Sequence, residues 1–264
     1  MSARFEALFE RAREDRKLLA CGLVAGDPHL DATGEFLDVF VSSGVDVIEL
    51  ILPFSDPTYH GRVIHRACTR ALREGVDWEN LAELVAGFRE AHPDTAMIVS
   101  SYYNRILSVG LDVCATLLGE AGVDGVMVPD LPWDEAGPLE ERMLERGVSP
   151  VFMIAPTTSD ARRDAIVASA SAPLIWTGHA GGELVETDEA QQARLREACE
   201  RSEVPILAAM RISSGEDARR VAPQADGVIA TSSVTWLIEG RGPDVTERIA
   251  DFIAQLRDGI DSVQ

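Results

Sequence analysis

Glu49 is the one charge inside the apolar run Val47-Ile48-Glu49-Leu50-Ile51-Leu52, and His60 follows on the same connection, past Pro53-Phe54-Ser55-Asp56-Pro57. A β-branched apolar run reads as a buried strand. A carboxylate within it is costly to bury unless it is paired, hydrogen-bonded or used for chemistry. Pairing with an arginine or bonding to a neighbouring strand is the structural alternative. The chemical one is a general acid/base whose apolar surroundings keep its proton to higher pH. A loop histidine is commonly a solvated surface residue, but His60 is close enough in sequence to share a pocket with Glu49.

Other polar residues fall just after apolar runs. Tyr102-Tyr103-Asn104 and Asp130 either line a pocket or cap the ends of elements. Thr157-Thr158-Ser159-Asp160 reads as the N-cap of a following helix. Gly178-His179-Ala180-Gly181-Gly182 suits a mobile loop and does not fit the dinucleotide-binding glycine pattern. Late in the chain, Ala209-Met210-Arg211-Ile212-Ser213-Ser214-Gly215 and Thr231-Ser232-Ser233 place hydroxyls before helices. Such hydroxyls can be plain caps. Arg211 beside them favours an anion site, for phosphate or carboxylate, that includes Ser213 and Ser232.

The elements that carry these residues alternate. Leu18–Val24, the run around Glu49, Thr95–Ser101, Gly125–Val128, Ser149–Ile154, Pro173–Thr177, Val204–Ala208 and Gly227–Ala230 read as short strands. Between them, Asp31–Val41, His65–Arg73, Trp78–His92, Leu111–Ala121, Asp134–Arg146, Asp160–Ser169, Glu189–Arg201 and Ser214–Val221 read as helices, with Val245–Leu256 last. A further helix over residues 4–14 leads the chain. Alternation of this kind implies parallel strands with crossover helices, and eight units in one chain of 264 residues fit an α/β fold, the (β/α)₈ TIM barrel with an extra N-terminal helix. No Pro/Gly/Ser-rich linker divides it, so residues 1–264 read as one domain. Asp46, Asp124 and Asp226 each stand just before a strand and are expected to serve loop geometry, not catalysis.

Composition removes several functions. The net charge of −20 opposes a nucleic-acid partner, which needs a basic face. Cys21, Cys68, Cys114 and Cys199 form no C-x-x-C pair, so free thiols are expected and a structural zinc is not. No apolar run approaches the ~18 residues needed to span a bilayer, and no signal-like segment opens the chain. The expectation is a cytoplasmic protein with no membrane partner.

At Glu49-Leu-Ile-Leu-Pro-Phe-Ser-Asp-Pro57 the chain resembles the α subunit of tryptophan synthase. The likeness extends to Ala25-Gly26-Asp27-Pro28, Tyr102-Tyr103-Asn104, Val128-Pro129-Asp130-Leu131-Pro132, Ile154-Ala155-Pro156-Thr157-Thr158-Ser159-Asp160 and Arg211-Ile212-Ser213-Ser214, and so covers nearly the whole chain. It implies a barrel lyase that cleaves indole-3-glycerol phosphate to indole and glyceraldehyde 3-phosphate by a retro-aldol step, with no metal or cofactor. Glu49 matches the acid/base that protonates the indole ring carbon, and Ser232 a phosphate-binding serine. Tyr102, Asp130 and Ile175 fall in the expected substrate pocket. The resemblance also implies a β-type synthase subunit, met by the loops after the second and sixth strands.

The departures concern the site. His60 stands where the pattern has a second catalytic aspartate; a histidine can accept a proton from an indole-type N–H, but neutral it does not stabilise a developing cation as a carboxylate does. Gly181-Gly182-Glu183-Leu184 replaces Gly-Val-Thr-Gly, Ala209-Met210-Arg211 replaces Gly-Phe-Gly, and Thr231 replaces a glycine beside the phosphate serine. Ile175 replaces a tyrosine, Gly22 a phenylalanine and Ser100 an apolar residue. The expectation is therefore a lyase of this type acting on indole-3-glycerol phosphate or a relative. The alternatives are a repurposed aldol, elimination or cyclisation enzyme, and a non-catalytic partner of a β-type subunit.

Overall fold

The eight strands close into a barrel, seen in a computed structural model that describes all residues but 15, 181, 182, 185–188, 241 and 264, with only the backbone of 179, 180, 183 and 184. The strands are β1 (Leu18–Val24), β2 (Val47–Ile51), β3 (Ala96–Ser100), β4 (Gly125–Met127), β5 (Ser149–Val151, continued by Met153–Ile154), β6 (Leu174–Thr177), β7 (Ile206–Ala209) and β8 (Gly227–Ala230). All their pairings are parallel, and β8 returns to β1 with Leu18 opposite Gly227. β5 is one strand interrupted at Phe152: its first half pairs with β4 and its second with β6, so the circle is complete. Every residue of β1, β2 and β3 is buried, because a barrel strand faces side chains inside and helices outside.

Most helices start and stop where the spacing predicts. Asp160–Ser169 and Glu189–Arg201 have the expected bounds, and Ser159 caps the first of them as expected. The segment 134–146 is not one helix. A 3₁₀ turn at Trp133–Glu135 precedes the helix Gly137–Glu145, whose Pro138 suits only a first turn. Two helices were not anticipated, Tyr103–Val109 and Ser232–Glu239. Gly181 and Gly182 of the glycine-rich loop lie outside the described residues. Among the described residues no helix is long and apolar enough to cross a membrane.

One device recurs at the N-terminal face of the barrel. Asp46 accepts a hydrogen bond from the backbone N–H of Leu19 at 3.0 Å, Asp124 from Met97 at 2.8 Å and Asp226 from Ile206 at 2.8 Å. Each aspartate precedes one strand and bonds its neighbour, which fixes the relative height of the two. The leading helix Ala3–Arg13 crosses this face, with Arg4 on Asp124 at 2.7 Å and Arg11 on Asp46 at 3.2 Å.

At the opposite face, an ion cluster ties together the helices that border the cavity described below. Arg70 on the helix Arg62–Arg73 bonds both oxygens of buried Asp27, at 2.7 Å each. Arg66 and Arg70 also both bond Glu239, at the end of the helix Ser232–Glu239. The Arg66 hydrogen bonds hold the Glu239 carboxyl down to about 2, with Arg70 adding to the effect. A depressed carboxyl contributes stability above its unfolded value, near 4.3, and loses it as pH falls towards the folded value. The melting temperature of Glu239→Gln is therefore expected to lie below wild type at pH 6, the two converging near pH 2. A constant gap throughout would show that the ionised carboxylate is not what holds the helices.

Candidate active site

A cavity of about 330 Å³ opens at the C-terminal ends of the strands, with Glu49 in its wall. Glu49 is the middle residue of β2 and only 3% exposed. Its Oε1 accepts a hydrogen bond from Ser100 Oγ at 2.9 Å and its Oε2 from Thr231 Oγ1 at 2.7 Å. Burial pushes the carboxyl above its ordinary value; the hydroxyls of Thr231 and Ser100 pull the other way and offset part of the effect. Among the described residues no cation pairs with Glu49, so the structural alternative of an arginine partner does not apply; the neighbouring-strand alternative survives in Ser100 and Thr231.

Thr231 reaches Glu49 only because β1 leaves a gap. A Cβ at Gly22 would stand 2.5 Å from Thr231 Oγ1 and 2.8 Å from Glu49 Oε2. The small residue on β1 and the larger one after β8 thus exchange volume, which accounts for two of the departures together. Gly22→Ala is expected to destabilise by about 1–3 kcal/mol through overpacking. Gly22→Ala/Thr231→Gly should recover most of that in urea unfolding. If the two losses simply added, the residues would not share this space.

The hydroxyl of Thr231 is thereby withheld from capping. The helix Ser232–Glu239 starts with no side-chain cap, which leaves its first backbone N–H groups beside Ser232 and Ser233 in the cavity wall. Arg211 lines the same wall. It holds a left-handed backbone with φ of 51°, a conformation in which a bulky side chain is strained. Its guanidinium has no hydrogen bond or ion pair among the described residues. An unpaired arginine and an uncapped helix start form one electropositive corner, suited to an anion.

The rim above β2 is set by tyrosines. Tyr59 OH donates to Thr177 Oγ1 at 2.8 Å, and Tyr59 N donates to Tyr102 OH at 3.1 Å. Tyr102 OH also meets His60 Nδ1 at 2.8 Å, while its ring stacks on Phe54 with centroids 5.2 Å apart. Burial raises both phenols, so neither ionises at ordinary pH.

Five of the eight residues expected at the site line this one cavity: Glu49, His60, Ile175, Arg211 and Ser232. The other three lie elsewhere. Tyr102 is 1% exposed and stands behind His60, because its ring fills the core under the loop. Asp130 accepts from the backbone N–H of Tyr103 at 2.8 Å, which anchors the start of the helix Tyr103–Val109. Ser213 gives its hydroxyl to Asp217 Oδ2 at 2.6 Å, and its backbone N–H bonds the same oxygen. Tyr59 was not anticipated. An aromatic residue next to a loop histidine was the available signal.

Comparison with known proteins agrees with this architecture. A family model described as "Tryptophan synthase alpha chain" matches residues 9–261. The tryptophan synthase alpha chain of Marinobacter nauticus is 33% identical over 268 residues, covering 99% of each chain. That of Burkholderia cenocepacia is 36% identical over 255 residues, covering 95% of this chain and 93% of its own. A crystal structure of tryptophan synthase subunit alpha from Legionella pneumophila superposes with a TM-score of 0.89 at 29% identity, covering 99% of this chain and 100% of that one. A chain from a structure of Mycobacterium tuberculosis tryptophan synthase gives 0.87 at 26% identity, covering 98% and 99%.

Proposed function

The chain belongs to the tryptophan synthase alpha chain family, and on that premise we propose that it is a carbon–carbon lyase. It cleaves indole-3-glycerol phosphate, or a close relative, to indole and glyceraldehyde 3-phosphate by a retro-aldol step. The observation that carries this reading is Glu49, the single acidic side chain among the described residues lining the cavity, opposite the electropositive corner of Arg211 and Ser232.

The chemistry asks two things of one carboxyl. Protonating the ring carbon that bears the side chain makes that ring an electron sink. The bond from ring to side chain then breaks, its electron pair returning to the ring, while the side-chain hydroxyl loses its proton and becomes a carbonyl. Glu49 supplies the first proton and receives the second, which suits a carboxyl whose burial keeps it close to the operating pH. Arg211, Ser232 and the first amides of the helix Ser232–Glu239 hold the phosphate, and Ile175 packs against the ring. His60 faces the ring as the second polar group.

Incubation with indole-3-glycerol phosphate tests the reading: indole and glyceraldehyde 3-phosphate should form in equal amounts. Inorganic phosphate should compete, and should lose most of that effect in Arg211→Ala. No turnover above the Glu49→Gln background would sink the assignment. A second reading, a repurposed lyase with a different ring, is favoured by His60 and by the Gly22–Thr231 exchange. The proposed protein partner is a β-type synthase subunit at the loops after β2 and β6. An unchanged elution volume in its presence would count against it.

A further inference from the structure

We infer that His60 presents an N–H, not a lone pair, to the bound substrate, so that the ring atom held there is a hydrogen-bond acceptor. The location of one proton decides this. Tyr102 OH has two partners, the backbone nitrogen of Tyr59 at 3.1 Å and His60 Nδ1 at 2.8 Å. The backbone N–H can only donate, so the Tyr102 oxygen accepts from it. That leaves His60 Nδ1 as the one acceptor, among the described residues, for the proton of Tyr102 itself. Tyr102 is buried and stacked on Phe54, where a hydroxyl proton with no acceptor forfeits its bond. Tyr102 therefore donates to Nδ1, and a neutral imidazole that accepts at Nδ1 carries its own proton on Nε2.

Protonation of the ring does not alter the conclusion, because both nitrogens of an imidazolium donate. Only a neutral ring with its proton on Nδ1 would bare a lone pair at Nε2. In that state Tyr102 accepts twice and its own proton is stranded. A buried residue, Tyr102, thus fixes the polarity of a cavity residue, His60.

The consequence concerns substrate class and rests on the cavity being the active site. A carboxylate at position 60 would hold a ring N–H. His60 does the reverse and repels it, donor against donor. The partners that suit it are an imine-type nitrogen, a ring oxygen or a carbonyl oxygen. The imine form that an indole adopts once its ring carbon is protonated and its N–H lost is within this class. The site is then complementary to an acceptor ring, and a ground-state indole N–H is disfavoured.

Two measurements test this on the full-length protein. In nitrogen-resolved NMR, the His60 signal, identified by its loss in His60→Asn, should show Nδ1 as the unprotonated nitrogen and Nε2 as the protonated one. Tyr102→Phe should move Nδ1. The opposite assignment overturns the inference whatever the enzyme acts on. In calorimetry, two ligands are compared that carry the same propyl phosphate on carbon three of indole or of benzofuran. Wild type should favour the benzofuran by about fivefold or more, the ratio that loss of one ordinary hydrogen-bond mismatch produces, and His60→Asp should invert the preference. An indole preference in wild type, or no inversion in His60→Asp, overturns it. If the NMR result holds and neither ligand binds, the active-site reading fails instead, and the substrate inference with it.

Discussion

Glu49→Gln is expected to lower the rate of carbon–carbon cleavage by about 10³, within the usual 10²–10⁴ for a positioned proton-transfer group, without weakening the fold. Gln is nearly isosteric, and its amide can satisfy the same two neighbours. Its oxygen accepts from one hydroxyl and its NH₂ donates to the other, since Ser100 Oγ and Thr231 Oγ1 can each reverse. What the variant lacks is an exchangeable acid. Burial raises the Glu49 carboxyl in the folded state, so the folded chain binds more protons than the unfolded chain once pH exceeds the ordinary carboxylate value. Stability from this group is complete below the unfolded value, near 4.3, and is lost as pH rises through the folded one. Gln does not titrate and escapes that loss. Its melting temperature should equal or exceed that of wild type at pH 7 to 8, with the advantage shrinking towards pH 4. A variant that is inactive because it is unfolded, or one that retains most of its activity, would each remove Glu49 as the acid/base.

This separation of activity from stability explains why the residue was visible in the sequence. A charge in an apolar strand violates the local pattern, and such violations mark places where something other than folding is being served. Arg211 is visible for the same reason once its backbone is known. The contacts that make Glu49 work were not legible. Ser100 and Thr231 come from strands far along the chain, and they meet Glu49 only because the barrel brings β3 and β8 onto either side of β2 and β1. No periodicity encodes that meeting. Gly22 is legible only as an absence, and its meaning requires knowing that Thr231 fills the space.

The residues that proved to lie outside the cavity share one ambiguity. Asp130 and Ser213 are polar groups at strand ends, where capping a helix and contacting a substrate demand the same side chains. Asp130 holds the Tyr103 amide and Ser213 bonds Asp217, and both interactions depend on helix starts that the spacing left unmarked. The fold itself was the most legible part, because alternation of apolar runs is repeated eight times and each repeat supports the others. The break at Phe152 and the Pro138 interruption are local details that such averaging passes over.

Asp124→Ala is expected to cost about 3–5 kcal/mol of folding stability, the range for removing one partner of a buried ion pair. Asp124 is fully buried below the barrel. Its Oδ1 takes Arg4 Nε at 2.7 Å, and its Oδ2 takes both Arg89 Nη2 at 2.9 Å and the Met97 backbone N–H at 2.8 Å. Removing the carboxylate leaves Met97 N–H without its acceptor and Arg89 without its counter-charge. Arg89 already feels its burial, which lowers its guanidinium to about 10 despite the neighbouring carboxylate. Asp124→Asn should recover part of the loss, because one oxygen can still accept from Met97. Asp124→Leu with Arg89→Met should lose less than the sum of its two single changes, since it removes the buried charge along with its partner. Urea unfolding at constant slope is the measurement. A loss in Asp124→Ala below about 1 kcal/mol would assign the residue only surface-pair strength. That outcome would also deny the recurrent aspartate its role, because the same arrangement at Asp46 and Asp226 sets the strand heights on which Ser100, Glu49 and Thr231 depend for their meeting.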